Sequence, residues 1–351
     1  MIFFVGHEDE IKLYLSGWGA SLSGIISLVS YEAILRQRKL AVGTYVFMNI
    51  DHVSGVEAER AELLWNYLHN SGCRIRLLNH PTRSLKRYEL LRTLKERGMN
   101  IFDVYRITEA RCPKSFPVFI REANQHSGSL TPLIYTWEAL ELALKEILAG
   151  QMWSRDEKLI VEYCDTADNS GLYRKYSAFC VGNRIIPVYT SFSKNWVTKS
   201  SDSLADFMSD EELLYIHANP HEEQLREIFA LANIQYGRID YGVFNGRIQT
   251  WEINTNPHLI PREPDHPMRL PAVNHAATAL NAAFREIDSS PNPLVWIPNP
   301  IRRRMVLRER REALHRWLRL FRLLRYEPAA LSISVFCLSV AARLGNILKR
   351  R

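Results

Sequence analysis

The sequence is poor in cysteine, with five in 351 residues, and none of them belongs to a Cys-x-x-Cys pair. Their odd number and scattered positions argue against a disulfide framework and against a thiolate zinc site. No Gly-x-Gly-x-x-Gly follows the first apolar run, so a dinucleotide site there is not expected. The N-terminal segment lacks both a basic stretch and a long apolar stretch, unlike a secretion signal. These absences together predict a cytoplasmic protein.

Nothing in the composition is extreme. Hydrophobic residues make up 46% of the chain, charged residues 24% and aromatic residues 11%. These values exclude the disordered, collagen-like and coiled-coil classes. At roughly 150 residues per domain, the length indicates two or three domains or one large composite domain.

The charge is distributed unevenly along the chain. Residues 302–351 contain 14 Lys and Arg against three Glu, so they carry +11, and residues 1–301 carry −4 of the total of +7. A basic tail on a mildly acidic body indicates a separate surface role for the tail. A body of this charge does not predict binding to nucleic acid.

Apolar runs alternate with amphipathic segments over about the first 80 residues. The pattern predicts strands at 2–5, 44–48 and 74–78 and helices at 22–38 and 56–70. Strands that alternate with helices are typical of a parallel α/β sheet. We therefore predict a first domain over residues 1–83.

Residues 84–300 form the predicted second domain, whose lid part spans about 112–165. Predicted helices lie at 84–97, 136–149 and 221–232, and predicted strands at 116–120 and 158–164. Two hairpins follow, with turns at Gly182-Asn183 and Asn245-Gly246. Nine prolines between residues 257 and 300 predict irregular connections and a linker, after which residues 301–351 form a separate helical tail.

The second hairpin carries the strongest chemical signal. Its Asn245-Gly246 turn places Asp240 and Glu252 on paired strands, and Glu252 and Asn254 on one face, because side chains alternate along a strand. Two carboxylates and an amide suit Mg²⁺, which also binds phosphate oxygens. Arg238 lies on the same face as Asp240, where a guanidinium stabilises a transferring phosphoryl group. A solvated hairpin with incidental charges is the alternative interpretation.

The pattern Arg238-x-Asp240 followed by Glu252-x-Asn254 resembles the metal-binding end of the ATP-grasp superfamily. That superfamily includes D-alanine–D-alanine ligase, glutathione synthetase and ribosomal-protein glutamate ligases. The resemblance implies that Asp240, Glu252 and Asn254 hold two Mg²⁺ ions, or Mn²⁺, on ATP, and that Arg238 acts on the transferred phosphate. It also implies an α/β ATP-grasp fold with an N-terminal parallel domain, a lid subdomain and a metal-binding subdomain, here followed by the basic tail.

The same resemblance, which covers about residues 1–285, implies further nucleotide contacts. It assigns them to Lys86 and Arg87 at a helix start, Arg121 at a strand end, Ser127 and Gly128 in a small-residue loop, Glu162, Tyr163 and Cys164 at a hinge, Asp168 near the ribose and Lys199 in a later loop. Arg174 is assigned a catalytic role. The choice between Asp165 and Asp168 as the ribose acid stays open, and a solvated helix face is the alternative for Lys86 and Arg87.

By resemblance the chain is an ADP-forming ligase that joins a small-molecule or peptide carboxylate to an amine through an acylphosphate. The alternatives are a kinase for a small or lipid-linked substrate and a non-catalytic nucleotide-binding protein at a membrane. Replacement of Glu252 by alanine is predicted to abolish turnover with the fold nearly intact. The sequence leaves a homodimer open and predicts no nucleic-acid partner.

The tail has the pattern of a basic amphipathic helix over residues 302–326. One face carries Leu314, Trp317, Leu318, Phe321 and Leu324, with arginines beside it. The uncharged run 329–342 that follows is shorter than the roughly 20 residues of a spanning helix. This pattern is typical of membrane-surface or partner binding. We expect contact with the inner face of a membrane or, alternatively, a helical pair packed on the body or on a second subunit.

Overall fold

The computed structural model describes residues 1–6, 9–53, 55–109, 111–125, 128–150, 157–198, 205–260, 266–302, 311 and 314–318. The chain divides into two compact units. The larger comprises residues 1–34 and 39–297, and the smaller comprises residues 35–38 and those from 298 onward. Within the smaller unit, the Asn299 amide donates to the Arg38 carbonyl at 3.0 Å.

The described elements combine short strands with longer helices. The strands are β1 (Ile2–Val5), β2 (Ile26–Val29), β3 (Lys39–Ala41), β4 (Thr44–Phe47), β5 (Arg76–Leu78), β6 (Val104–Arg106), β7 (Val118–Glu122), β8 (Lys158–Glu162), β9 (Tyr173–Val181), β10 (Arg184–Ser193), β11 (Tyr236–Phe244), β12 (Arg247–Asn254) and β13 (Trp296–Pro298). The helices are α1 (Asp9–Leu15), α2 (Tyr31–Arg36), α3 (Gly55–His69), α4 (Arg87–Glu96), α5 (Trp137–Gly150), α6 (Asp206–Ala218), α7 (Glu222–Ala232) and α8 (Leu270–Ile287). The fold is therefore mixed α/β.

The first sheet is parallel and has the strand order β2-β1-β4-β5. Ile2 of β1 pairs with Ile26 on one side and with Thr44 on the other. Parallel sheets are covered on both faces, and Phe4 and Val46 are fully buried accordingly. The predicted parallel sheet is confirmed.

The predicted helix over residues 22–38 is wrong in its first half. Residues 26–29 form β2, and the helix is confined to α2. The short run Ile26-Ser27-Leu28-Val29 has β-branched ends, and both Ile26 and Val29 are buried in the sheet. The hydrophobic pattern of only four residues fits a helix and a strand equally well, and pairing with β1 selects the strand.

Two antiparallel sheets follow, with the strand orders β6-β8-β7 and β10-β9-β11-β12. Both predicted hairpins are present. The turn residues Asn245 and Gly246 have φ values of 50° and 72°, as a tight hairpin turn requires. Across β11 and β12, Asp240 lies opposite Glu252, and Arg238 lies opposite Asn254. The predicted hairpin of the motif is confirmed. A register shift between Asp240 and Tyr241, which was not predicted, sets these pairs.

The predicted irregular stretch after residue 257 contains the 18-residue helix α8, so that prediction is wrong for residues 270–287. Of the nine prolines, only Pro271 lies inside the helix, in the first turn, where a missing N–H costs no hydrogen bond. The buried side chains of α8 recur at helical spacing, at residues 272, 273, 276, 277, 280, 283, 284 and 287. Elements α1, β3, β6 and α6 also lie where no element was predicted.

The parallel sheet, α8 and the larger antiparallel sheet share one hydrophobic core. Phe4 of β1 packs edge-to-face on Tyr236 of β11 and on Phe284 of α8, at ring-centroid distances of 5.2 and 5.8 Å. These three rings join the N-terminal sheet to the strand that carries Arg238 and Asp240.

Most of the predicted tail helix lies outside the described residues. The described segment 314–318 is helical, and Leu314, Trp317 and Leu318 are 55%, 45% and 42% exposed. In the part of the chain that the structure describes, no helix combines the length and the apolar character needed to cross a bilayer.

Candidate active site

A cavity in the larger unit is lined by residues of sheet β6-β8-β7 and of sheet β10-β9-β11-β12. Its apolar lining comes from Leu91, Phe102, Phe119, Val161, Trp196 and Trp251. Its charged lining comes from Arg121, Glu162, Arg174, Lys175, Asp240 and Glu252. An apolar wall with a few converging charged groups is typical of a small-molecule site.

Asp240 is buried and surrounded by donors. Its Oδ1 accepts hydrogen bonds from Ser177 Oγ at 2.8 Å and from Arg238 Nε at 3.0 Å. Its Oδ2 accepts a longer bond of 3.3 Å from Arg238 Nη2 and lies 3.7 Å from Lys175 Nζ. Burial opposes the charge of Arg238, but the Asp240 carboxylate, Tyr189 and Glu252 together outweigh burial and raise the pKa of Arg238 above its ordinary value.

Glu252, opposite Asp240, is bound by two arginines. Its Oε2 accepts from Arg87 Nη2 and, at 3.1 Å, from Arg121 Nη2. Arg87 is buried, and its Nη1 also donates, at 3.1, 2.6 and 2.8 Å, to the carbonyls of Glu122, Ala123 and Gln125. Arg87 therefore connects Glu252 to the chain that follows β7.

The charged groups around the two carboxylates leave an excess of positive charge. Burial, with the neighbouring Arg87, lowers the pKa of Arg121 to about 10, so Arg121 stays charged at neutral pH. Its Nε is buried and has no hydrogen-bond partner among the described residues. Arg87, Arg121, Lys175 and Arg238 thus face two carboxylates, an arrangement that favours an anionic ligand.

The structure brings most of the predicted site residues to this cavity. Those that line it are Arg121, Gly128, Glu162, Tyr163, Cys164, Arg174, Asp240 and Glu252. Arg87 and Arg238 bind the two carboxylates. Lys86, Asp168 and Asn254 are not among the lining residues that the structure describes. Ser127 and Lys199 lie outside the described residues.

Glu162 lines the cavity, but its carboxylate oxygens accept hydrogen bonds from other groups of the protein. Oε1 accepts from Tyr105 Oη at 2.9 Å and from the Lys114 and Ser115 amides at 2.8 and 3.2 Å, while Oε2 accepts from the Asp103 amide at 3.0 Å. This carboxylate holds β6 and the chain before β7 against β8. A nucleotide role for Glu162 stays a prediction.

Asp168 and Arg174, for which different roles were predicted, bind each other. Arg174 Nη1 donates to Asp168 Oδ2 at 2.6 Å, and Arg174 Nε donates to Glu211 at 2.5 Å. The Ser170 hydroxyl and Arg174 hold the pKa of Asp168 below its ordinary value. Neither Asp165 nor Asp168 lines the described cavity, whereas Thr166 does, so the ribose acid stays a prediction.

Sequence analysis missed Lys175 and Ser177. Asp240 pairs with Ser177 in the register of β9 and β11, and Lys175 shares the face of Ser177 because side chains alternate. The alternation along β9 was a usable signal: Arg174 and Lys175 both line the cavity, but only one of two neighbouring strand residues can share the face of Ser177. Pairing of β9 with β11, which the hairpin pattern does not show, was needed to choose between them.

Two further lining residues are Gly128, whose backbone conformation favours glycine, and Cys164, whose thiol is buried. Gly128 has a φ of 95°, in the region that favours glycine. Burial raises the pKa of the Cys164 thiol to about 12. At pH 8 only about one thiol in ten thousand would then be ionised, and the thiolate is the reactive form.

Cys164 is therefore expected to resist alkylation in the folded protein. Iodoacetamide at pH 8 should label the exposed Cys112 at least about a hundredfold faster, as read by peptide mass spectrometry over time. In urea both should react at similar rates. Equal labelling of the two cysteines in the folded protein would contradict the buried, neutral thiol.

Several solved ligase structures align with this chain at low sequence identity. D-alanine–D-alanine ligase from Bacillus anthracis, solved with ATP, is 11% identical with a TM-score of 0.46, covering 81% of this chain and 97% of the ligase. The ATP-grasp ligase PsnB with a minimal precursor is 10% identical with a TM-score of 0.46, covering 81% and 98%. D-alanine–D-alanine ligase from Helicobacter pylori is 16% identical with a TM-score of 0.41, also covering 81% and 98%. No protein-family model and no curated protein sequence matches the chain.

Proposed function

We propose that this protein is an ATP-dependent, ADP-forming ligase of the ATP-grasp type that joins a carboxylate to an amine. One arrangement carries the proposal: Asp240 and Glu252, which both line the cavity, face each other across a hairpin and are paired with four cationic side chains. Such a site suits a polyphosphate with its metal. The apolar wall beside it suits a flat base.

The residues present fit Mg²⁺ bound together with phosphate. In the described residues, no group of three or more His, Cys, Asp or Glu side chains is arranged to hold a metal ion. The candidate set instead has two carboxylates and the amide of Asn254, whose Oδ1 accepts from the Asn256 amide at 2.8 Å. Mg²⁺ is commonly held by one or two carboxylates plus substrate phosphates. When bound, it would neutralise charge on the reacting phosphate.

The chain's own groups would act by position and charge. Arg121, Lys175 and Arg238 would bind phosphate oxygens, and the main chain at 163–164 would border the base. A substrate carboxylate would accept the terminal phosphoryl group with release of ADP. The amine would then displace phosphate from the acylphosphate and form the amide. No nucleophilic side chain is required, since phosphoryl transfer depends mainly on positioning and electrostatics.

Purified protein incubated with γ-labelled ATP, Mg²⁺ and a small-metabolite extract tests the reaction class. We expect ADP and free labelled phosphate that appear only with the extract, beside a new unlabelled conjugate. Label on a metabolite would identify the kinase alternative. Absence of ATP consumption with every extract fraction, including lipids and peptides, would contradict the ligase proposal. Glu252→Gln protein serves as the background control.

For the basic tail we propose contact with an anionic membrane surface at the cytoplasmic face. The support is the net charge of +11 over residues 302–351 and the exposure of Leu314, Trp317 and Leu318 on one helical segment. Basic residues favour anionic lipid, and an exposed apolar face enters the interface.

Co-sedimentation with phosphatidylcholine vesicles, with and without phosphatidylglycerol, tests this contact. The full chain should sediment with anionic vesicles and be released by high salt, because salt screens the attraction. Combined Trp317→Ala and Leu318→Ala should weaken sedimentation, whereas Leu63→Ala, at an exposed site of α3, should not. Equal sedimentation of the full chain and of a chain without residues 302–351 would contradict the proposed membrane contact.

A further inference from the structure

Ser177 lies directly behind the carboxylate that faces the cavity. It is fully buried on β9, and its backbone partner across the sheet is Asp240 of β11, itself 5% exposed. Ser177 Oγ donates to Asp240 Oδ1 at 2.8 Å. Directly paired side chains on one face of a sheet have little freedom to rearrange, so this contact is held by the register of the two strands.

The two carboxylate oxygens of Asp240 accept different sets of hydrogen bonds. Oδ1 accepts from both Ser177 Oγ and Arg238 Nε, at 2.8 and 3.0 Å. Oδ2 accepts a single bond of 3.3 Å and lies beside Lys175, which lines the cavity. The bonds to Oδ1 hold the carboxylate in one orientation. Oδ2 is then the oxygen presented to a ligand.

A further hydrogen-bond network holds Ser177 in place. Tyr215 Oη donates to the Ser177 carbonyl at 3.2 Å and lies 3.0 Å from Tyr241 Oη, which in turn lies 2.9 Å from His221 Nδ1. These groups come from α6, β11 and the start of α7. Of these groups, Tyr215 contacts the Ser177 backbone, so the Ser177 hydroxyl is left directed at Asp240.

We propose that Ser177 is a positioning residue that orients Asp240 for divalent metal. This inference rests on the proposed function of the site. Groups that hydrogen-bond to a metal ligand set its orientation, and their loss typically weakens metal affinity by 10- to 100-fold. Ser177 itself does not contact the metal. Its loss should therefore change the metal requirement and not the affinity of the nucleotide at saturating metal.

The test is calorimetric titration of ATP into the full chain at a series of MgCl₂ concentrations. Ser177→Ala should raise the Mg²⁺ concentration for half-maximal binding about tenfold. ATP affinity at saturating Mg²⁺ should stay within about twofold. Ser177→Cys has a weak S–H donor of similar size. Its Mg²⁺ concentration for half-maximal binding should lie between those of the wild-type and Ser177→Ala proteins.

Thr190→Val is the matched control. Thr190 is a fully buried hydroxyl residue on the adjoining strand β10, and its Oγ1 has no hydrogen-bond partner in the described part of the chain. Its removal should leave the Mg²⁺ requirement unchanged. An unchanged Mg²⁺ requirement in Ser177→Ala, or an equal loss of ATP affinity at every Mg²⁺ concentration, overturns the positioning role alone. Binding of ATP by the wild-type chain that does not depend on Mg²⁺ overturns the proposed function as well.

Discussion

Replacement of Glu252 by glutamine is expected to lower the rate of ADP formation by at least a factor of about 100. The change removes one negative charge from the proposed metal site and leaves the side chain's size almost unaltered. Loss of one electrostatic contact to a reacting group commonly costs about 10²- to 10³-fold in rate. An initial-rate measurement at saturating ATP and Mg²⁺, with the substrates found in the labelled-ATP experiment, checks the value.

Glu286→Gln is the matched control for this experiment, because Glu286 is exposed and pairs with Arg184 at the surface. It should retain full activity. Wild-type turnover by the Glu252→Gln protein would show that the reaction does not require the Glu252 carboxylate.

The structure changes the prediction that Glu252→Ala leaves the fold nearly intact. The carboxylate is paired with Arg87 and Arg121, both largely buried. Loss of one partner from a buried ion pair commonly costs about 3–5 kcal/mol, since the remaining charge stays desolvated. Glu252→Ala should therefore unfold at clearly lower urea concentration than Glu252→Gln, whose amide oxygen still accepts from the arginines. Equal urea midpoints would contradict this pairing.

Replacement of Asn79 by alanine is expected to lower the free energy of unfolding by about 4 kcal/mol. Asn79 is 1% exposed, and its Nδ2 donates to the Phe47 and Tyr236 carbonyls at 2.9 and 2.8 Å. Its Oδ1 accepts from the Gln235 and Tyr236 amides at 2.8 and 2.9 Å. At about 1 kcal/mol for each of four hydrogen bonds, the sum is about 4 kcal/mol. Urea unfolding followed by circular dichroism measures it.

Two variants separate the causes of that loss. Asn79 has a φ of 60°, which asparagine tolerates better than alanine, and Asn79→Gly removes this strain but not the lost hydrogen bonds. We expect Asn79→Gly to recover at most about 1 kcal/mol. Asn70→Ala, at an exposed site whose side chain bonds only within its own helix end, should cost less than about 1 kcal/mol. A loss in Asn79→Ala no larger than in Asn70→Ala would show that Asn79 does not hold the two sheets together.

The sequence by itself determined the parts of the site that depend on local rules. The Asn245-Gly246 turn was enough to place Asp240 and Glu252 on paired strands, and the alternation of side chains was enough to place Glu252 and Asn254 on one face. The apolar runs likewise sufficed for β1, β4 and the two hairpins. These features arise from turn geometry and strand periodicity within about 20 residues, so a single sequence contains all the information they need.

Only the tertiary structure decided which distant groups meet these carboxylates. Arg87 from α4 and Arg121 from β7 meet on Glu252, and Lys175 rather than Arg174 faces Asp240, because sheet pairing and helix packing set those positions. Asn79 likewise joins β4 to β11 by hydrogen bonds. The free energy that selects such contacts comes from burial and pairing between segments far apart in the chain, and no local pattern records it.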